Sequence, residues 1–387
     1  MGTNILTINS GSSSIKFSVY GAPERLLVKG VLERIGLPEG AFRAWDAAGA
    51  VIRSGHIRFP DHSAALNELT GWLKTRPEGM SLSAVGHRVV HGGMVTSPQR
   101  IDPALMDALR VLKPFAAEHL PHEIKAIEAL ESALPGLPQV ACFDTSFHAN
   151  MPEAARTFAI PEEFRSAGVI RYGFHGLSYE YIMEELARTD PQRAKGRVVI
   201  AHLGNGSSMC AVLNGRSIET TMGFTPLGGL VMSTRSGDLD PGIIVYMLKT
   251  KGYGADELNE VLNRASGLKA ISGISPDMAD LLRHEGASAK AALAVRVYCY
   301  QARKHLGALA AALGGLDALV FTAGIGENSP QVRERILEGM AFMGLEVERE
   351  KNLTGGPVIS KGPVLIRVTK TNEELMIARH TARVLRL

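Results

Sequence analysis

Apolar and polar positions alternate from Ile5 to Tyr20, ILTINSGSSSIKFSVY, around a cluster of one Asn, one Gly and four Ser. Alternation on both sides of small polar residues predicts two strands joined by a turn, Asn9 to Ser14. The layout returns in VVIAHLGNGSSMCAVLNGRSI, from Val198, with its turn at Gly204 to Ser208. A duplicated α/β unit, each half opening with such a hairpin, would bring both small-residue turns to one central cleft. Gly/Ser hairpins are common, so the pattern alone leaves coincidence as an equal reading.

A third stretch, DALVFTAGIGENSPQVRERILEGM, predicts a buried strand through Ala323, a Gly-rich turn and a helix. Ser329 suits the N-cap and Pro330 the first helical position, and Val332, Ile336 and Met340 recur at helical spacing. Open α/β sheets bind ligands outside the carboxyl ends of their strands. Gly324 and Gly326 would let backbone N–H groups approach a phosphate. The dinucleotide fingerprint needs Gly at 329, where Ser stands, and no G-x-x-x-x-G-K-[ST] occurs, which excludes a P-loop.

GHRVVHGG, Gly86 to Gly93, reads as a strand with His87 and His91 on one face and Arg88 and Val90 on the other. The two His lack a third metal ligand nearby and read as structural. Arg88 either grips a carboxylate through its planar fork or lies on the surface. ACFDTSFH ends an apolar strand at Asp144, and RYGFHGLS sets His175 among glycines beside Phe174. MGFTPLGGLVMSTRSGDLDPGIIVYMLK, from Met222, is the longest non-periodic segment; it carries Arg235 and ends with Asp240 and Pro241 opening a helix. Long loops in compact domains are commonly functional. No G-x-S-x-G elbow supports a serine hydrolase.

Length narrows the organisation: 387 residues imply two or three domains. A net charge of +3 with scattered basic residues gives no nucleic-acid footprint. Cys142, Cys210 and Cys299 form neither a disulfide framework nor a zinc site, which fits a reducing compartment. No secretion signal is visible. The weakly charged run from Leu306 is interrupted by Gly314, Gly315 and Asp317, so it predicts helix, turn and buried strand rather than a membrane span. A cytoplasmic protein is expected. Phosphate cradles without a P-loop, two Arg, one His and an Asp at a strand end are the inventory of phosphoryl transfer, whose catalysis is mostly positioning and charge neutralisation.

NSGSSSIK, GHRVVHGG, FDTSFH, RYGFHG, HLGNGSS, MGFTPLGGLVMSTRSGDLDP, FTAGIGENS and TNEEL, from Asn9 to Leu375, together resemble the acetate kinase family in order and spacing. The resemblance implies the acetate and sugar kinase, actin and Hsp70 fold: α/β, with duplicated actin-like (ribonuclease H-like) domains around a central nucleotide cleft. The first would span 1–146, completed by a C-terminal helix at 374–387. The second would span 147–373 and carry most nucleotide contacts. It further implies a homodimer, Mg²⁺ (with Mn²⁺ as an alternative), and reversible in-line transfer of the ATP γ-phosphoryl group to acetate, giving acetyl phosphate and ADP.

Residue by residue, the resemblance implies Asp144, His175 and Arg235 as catalytic and Arg88, Val90, His119, Phe174 and Pro226 at the acceptor site. Nucleotide contacts would come from Ser12, Ser14 and Lys16, from His202, Leu203, Gly204, Asn205 and Gly206, from Asp277, Met278 and Ala279, and from Gly324, Ile325, Gly326, Glu327 and Asn328. Asn9 and Glu373 would serve the metal. Thr371 and Glu374 fit a capping box that leaves Glu373 free. Two positions depart from the family pattern: Ala279 replaces an Arg near the adenosine, and Glu118 replaces an apolar residue of the acyl pocket. Propionate or butyrate kinase is the near alternative, and an Hsp70-like or filament-forming nucleotide-driven binding protein the distant one. Neither a nucleic-acid nor a membrane partner is expected.

Overall fold

The alternating N-terminal segments form Asn4–Ser10 (β1) and Ser14–Gly21 (β2), paired antiparallel. This computed structural model describes residues 3–22, 24–76 and 81–387. The first turn is tighter than the Asn9–Ser14 span expected. Asn9 and Ser10 stay in the ladder, opposite Lys16 and Ile15, and the Gly11 N–H closes the turn on the Ser14 carbonyl at 2.8 Å.

From β2 an antiparallel meander continues through Arg25–Glu33 (β3), Ala41–Asp46 (β4) and Val51–His56 (β5). On its other side β1 runs parallel to Leu82–Val89 (β6). Gln99–Arg100 (β7) and Gln139–Phe143 (β8) complete the order β5-β4-β3-β2-β1-β6-β8-β7, with β6 and β8 parallel. Asn372–Leu387 returns to join residues up to Ser146 in one compact unit. Neighbouring strand residues point to opposite faces. Leu6 and Ile8 therefore enter a core with Phe17, Phe42 and Trp72, while Ile5 meets Ala378 of the C-terminal helix Glu373–Leu385. That helix lies so close to β6 that a Cβ at Gly86 would fall 2.2 Å from the Thr381 hydroxyl. Only glycine allows the approach.

The unit Phe147–Thr371 is built on Arg197–Leu203 (β9), Ser207–Leu213 (β10), Arg216–Thr220 (β11), Ala318–Thr322 (β12) and Leu365–Val368 (β13). Their order is β11-β10-β9-β12-β13. Two antiparallel pairings are followed by two parallel ones, the same series as β3-β2-β1-β6-β8 in the first unit. The hairpin resemblance in the sequence thus extends to a duplicated five-strand order. The weakly charged run from Leu306 closes the helix Ala289–Leu313 and continues into β12. Among the described residues no helix is long and apolar enough to cross a membrane.

Four local expectations are corrected. Strand β12 stops at Thr322, and the expected Gly-rich turn is itself helical, Ala323–Asn328, before a second helix Pro330–Leu337. Glu327 makes this possible, because its Oε1 accepts the Ala323 N–H at 2.9 Å and caps the turn from within. Pro330 does open the second helix, but the Ser329 side chain makes no capping bond. The C-terminal helix is capped by Asn372, whose Oδ1 accepts the Leu375 N–H at 3.0 Å, rather than by a Thr371–Glu374 box. Thr371 is engaged elsewhere, with the Ser178 hydroxyl at 2.9 Å. Finally, the strand holding His87 ends at Val89, so the alternation does not reach His91.

Candidate active site

In the first unit the parallel strands β1, β6 and β8 run in one direction, so their carboxyl ends share one edge of the sheet. Asn9 lies near the end of β1, Arg88 near the end of β6, and Asp144 directly follows β8. The Asp144 N–H is held by the Val89 carbonyl at 3.0 Å, which anchors the aspartate to the neighbouring strand. Arg88 binds it in a fork: Nε donates to Oδ1 at 3.0 Å and Nη2 to Oδ2 at 2.5 Å. Its Nη1 reaches Glu373 Oε2 at 3.3 Å and Asn9 Oδ1 at 3.4 Å.

Burial alone would lower the Arg88 pKa. The Asp144 and Glu373 carboxylates more than offset it and hold the guanidinium above its ordinary value. The structure therefore brings together Asn9, Arg88, Asp144 and Glu373, four of the residues singled out in the sequence. Glu373 arrives there because Gly86 admits the C-terminal helix onto the sheet. Ser12 and Lys16 are exposed at the β1–β2 hairpin and Ser14 is half-buried. His119 sits at the N-cap position of the helix Leu120–Ala133, half-buried, as is Glu118 before it.

In the second unit the β9–β10 turn, Gly204 to Gly206, converges with His175 and Arg235. A Cβ at Gly206 would lie 3.4 Å from both His175 Nε2 and Arg235 Nη2. His175 stands in the left-handed region, φ 60°, at the start of the helix Gly176–Thr189. Its Nδ1 pairs with the Ser208 hydroxyl at 2.8 Å, and its ring stacks on His202 with centroids 4.1 Å apart. His202 Nδ1 in turn meets the Ser178 hydroxyl at 2.8 Å. The Tyr179 hydroxyl also bonds the Ser208 hydroxyl. Phe174, before His175, is buried, and its carbonyl pairs with His148 Nε2 at 3.0 Å. Burial pushes the His148 pKa down to about 4.

Arg235 donates from Nη1 to the Pro226 carbonyl at 2.8 Å, inside the long loop between β11 and the helix Pro241–Lys251. Asn205 ties that loop to the turn, since its carbonyl accepts the Ser233 N–H at 3.2 Å. Gly204 approaches the next phosphate-loop candidate: a Cβ there would lie 3.7 Å from the Ala323 Cβ and 4.0 Å from the Gly324 N. Ala323 takes φ 64°, a strained setting for a residue with a side chain. Leu203 and Gly326 are buried, Ile325 and Glu327 half-buried, and Gly324 and Asn328 exposed. Asp277 caps a separate helix, Met278–His284, with Met278 buried and Ala279 exposed.

Some residues at these sites were given no role in the sequence reading. Ser178 and Ser208 lie within RYGFHGLS and HLGNGSS and Tyr179 follows the first of them; Ser208 and Ser178 pair with His175 and His202, and Tyr179 bonds Ser208. Glu123 is buried, and its Oε2 accepts the Val90 N–H at 3.1 Å. Its one sequence signal is an acid on the apolar stripe Leu120, Ile124, Ile127. Glu374 is half-buried; desolvation, then the charge of Glu373, raises its pKa.

The donors around Arg88 are hard carboxylate and amide oxygens. Among the described residues no group of three or more His, Cys, Asp and Glu could hold a metal ion alone. Mg²⁺ suits such a setting, because it takes one or two carboxylates and completes its shell with water and substrate phosphates.

Residues 4–379 match the Acetokinase family. The chain is 45% identical over 395 residues to an acetate kinase of Rhodopseudomonas palustris, covering 99% of this chain and 98% of the relative. A crystal structure of a propionate kinase from Francisella tularensis superposes with a TM-score of 0.93 at 35% identity, covering 99% of this chain and 100% of the other. The acetate kinase of Porphyromonas gingivalis superposes with a TM-score of 0.88, also at 35% identity, over 99% of this chain and 100% of the other.

Proposed function

The chain belongs to the acetokinase family and is a carboxyl-group phosphotransferase of duplicated actin-like fold, and we propose the following division of labour for it. The substrates are acetate and ATP. The observation that carries the assignment of residues is the fork of Arg88 on Asp144 at the carboxyl ends of three parallel strands.

Arg88 binds the acceptor carboxylate by its positive charge and by guanidinium N–H groups outside the Asp144 fork. Asp144 holds that guanidinium in place and charged, and positions the acceptor rather than serving as a strong base. Acetate is already ionised at neutral pH, so no proton has to leave it. Val90 and His119 line the acyl group. Arg235 and His175 neutralise charge that develops on the transferring phosphoryl group, with His175 oriented by Ser208. The turns 11–13 and 204–206 offer backbone N–H groups and hydroxyls to the nucleotide phosphates. Asn9 and Glu373 would hold Mg²⁺, which would supply charge neutralisation at the phosphates. Transfer is direct and in line.

Hydroxylamine trapping with ATP, Mg²⁺ and acetate tests this reading. Acyl hydroxamate is expected; its absence with acetate, propionate and butyrate alike would overturn it. Relative turnover in the same assay separates acetate from propionate kinase, since one methylene changes selectivity by only roughly 10–200-fold.

A homodimer accompanies this reading. The helix Pro241–Lys251 has no buried residue, although Ile243, Val245, Tyr246 and Leu248 on it are large and apolar. An exposed apolar patch of this kind marks an association surface, and a second copy of the chain is the proposed occupant. Sedimentation analysis should find a dimer that Val245→Asp with Tyr246→Glu dissociates.

A further inference from the structure

Where β6 ends, the chain passes from Arg88 to Val90 without a sheet partner on one side. The Val89 carbonyl still accepts the Asp144 N–H at 3.0 Å. The Val90 N–H has left the ladder and is buried; it donates to Glu123 Oε2 at 3.1 Å. The bond spans from the first turn of the helix Leu120–Ala133 to the strand exit. We propose that Glu123 is a positioning residue for the acceptor pocket, fixing the Val90 main chain and, through it, the direction of Arg88. The inference rests on the reading that Val90 and Arg88 serve the acceptor, and extends it to a residue that touches no substrate.

The surroundings of Glu123 define the form in which it acts. It is buried on a helix whose Leu120, Ile124 and Ile127 join Val89 and Phe143 in an apolar cluster. Desolvation there pushes its pKa up to about 8, against the Val90 hydrogen bond and Arg88, which pull it down, while Asp144 adds to the rise. Arg88 faces it from β6, Asp144 from the end of β8, His91 follows Val90, and His119 and His122 share its own helix segment. Near neutral pH the carboxyl is mostly protonated, and an uncharged carboxyl still accepts an N–H. Ionised, it would add an anion beside an arginine already shared by Asp144 and Glu373. The grip of Arg88 on an anionic acceptor would then weaken.

Steady-state kinetics of ADP release, at pH 6.5 to 9 and with acetate and ATP varied separately, tests this on the wild type, Glu123→Leu and Glu123→Gln. Leu leaves the Val90 N–H without its acceptor, which should raise the acetate KM about tenfold, with ATP KM within twofold. Gln restores an acceptor of the same shape and should rescue that loss. The wild-type acetate KM should climb as pH passes about 8, whereas the Gln variant, which cannot ionise, should stay flat. Identical pH profiles for wild type and Gln would overturn the inference even if Leu failed to fold. So would an unchanged acetate KM in Leu. A wild type that forms no acyl phosphate would instead overturn the acceptor reading itself.

Discussion

Arg88 and Asp144 form a two-point ion pair, Nε to Oδ1 at 3.0 Å and Nη2 to Oδ2 at 2.5 Å, with Asp144 almost wholly buried. Removing either partner strands a charge in a poorly solvated place, at a cost of about 3–5 kcal/mol. Asp144→Ala should therefore lower the denaturation midpoint as well as turnover. Asp144→Asn keeps the shape and part of the hydrogen bonding, so it should lose turnover by orders of magnitude with a smaller stability loss. Arg88→Lys should rescue Arg88→Ala only in part, because an ammonium cannot reproduce the fork. Equal turnover in Asp144→Asn and the wild type would remove Asp144 from its role.

Arg235 depends on a glycine packed against its own main chain. Gly267 stands at φ 64°, and a Cβ there would come within 2.2 Å of the Met232 carbonyl and 2.8 Å of the Arg235 carbonyl. Leu268 and Lys269 N–H groups hold Met232 and Ser233 carbonyls at 2.9 and 3.0 Å. Gly267→Ala should push the Arg235 loop off its position and cost more than about 1 kcal/mol from backbone strain alone. The expected readout is a turnover loss approaching that of Arg235→Ala, in a protein that still unfolds cooperatively. Full turnover would show that the loop absorbs the clash.

Two buried histidines make stability fall in acid. His87, bonded to Gln139, and His148, bonded to Ser217 and the Phe174 carbonyl, both have pKa values pushed down to about 4 by burial. The unfolded chain takes up these protons from about pH 6.5 downward, the folded chain only near pH 4. Each histidine's contribution, up to roughly 3 kcal/mol, is thus complete above about pH 6.5 and lost as pH falls toward 4. Glu123 acts in the opposite sense: its raised pKa lets the folded form keep a proton that the unfolded chain releases above about 4.5. The penalty of His148→Gln, read from urea midpoints, should shrink steadily from pH 7 to pH 4.5. A constant penalty would contradict the assignment.

Ala279 follows the capping residue Asp277 by two positions and is exposed on the helix Met278–His284. A methyl group there offers a nucleobase neither the stacking plane nor the donors of an arginine. Catalytic efficiencies with ATP and GTP should be comparable, and Ala279→Arg should sharpen the preference for ATP. A strong ATP preference in the wild type would count against this.

Glu118 is half-buried immediately before His119, whose backbone, φ −125° and ψ −59°, is not yet helical. The break in backbone direction lets neighbouring side chains diverge. Glu118→Leu should leave the acetate KM within twofold. A large fall would mean that the carboxylate intrudes on the acceptor, where like charges ~5 Å apart repel by roughly 3 kcal/mol at an effective dielectric near 20.

What the linear chain determined by itself is local. Alternation and small-residue turns specify both hairpins, because a strand's two faces and a glycine turn depend on neighbours two or three positions away. Asp240 and Pro241 mark a helix start for the same reason, and Asp240 Oδ1 does accept the Gly242 N–H at 2.7 Å. The family motifs carried the candidate residues, since whole motifs were present in order. Tertiary structure decided the rest. The helix at Ala323–Asn328 exists because Glu327 turns back onto its own first N–H and onto Thr371 N–H at 3.1 Å, a residue 44 positions on. Asn372 displaced the expected capping box because Thr371 found Ser178, 193 positions away. Glu123 became a site residue only when its helix packed on the exit of β6. A carboxyl's charge state depends on what surrounds it in space, and no spacing along the chain encodes that desolvation.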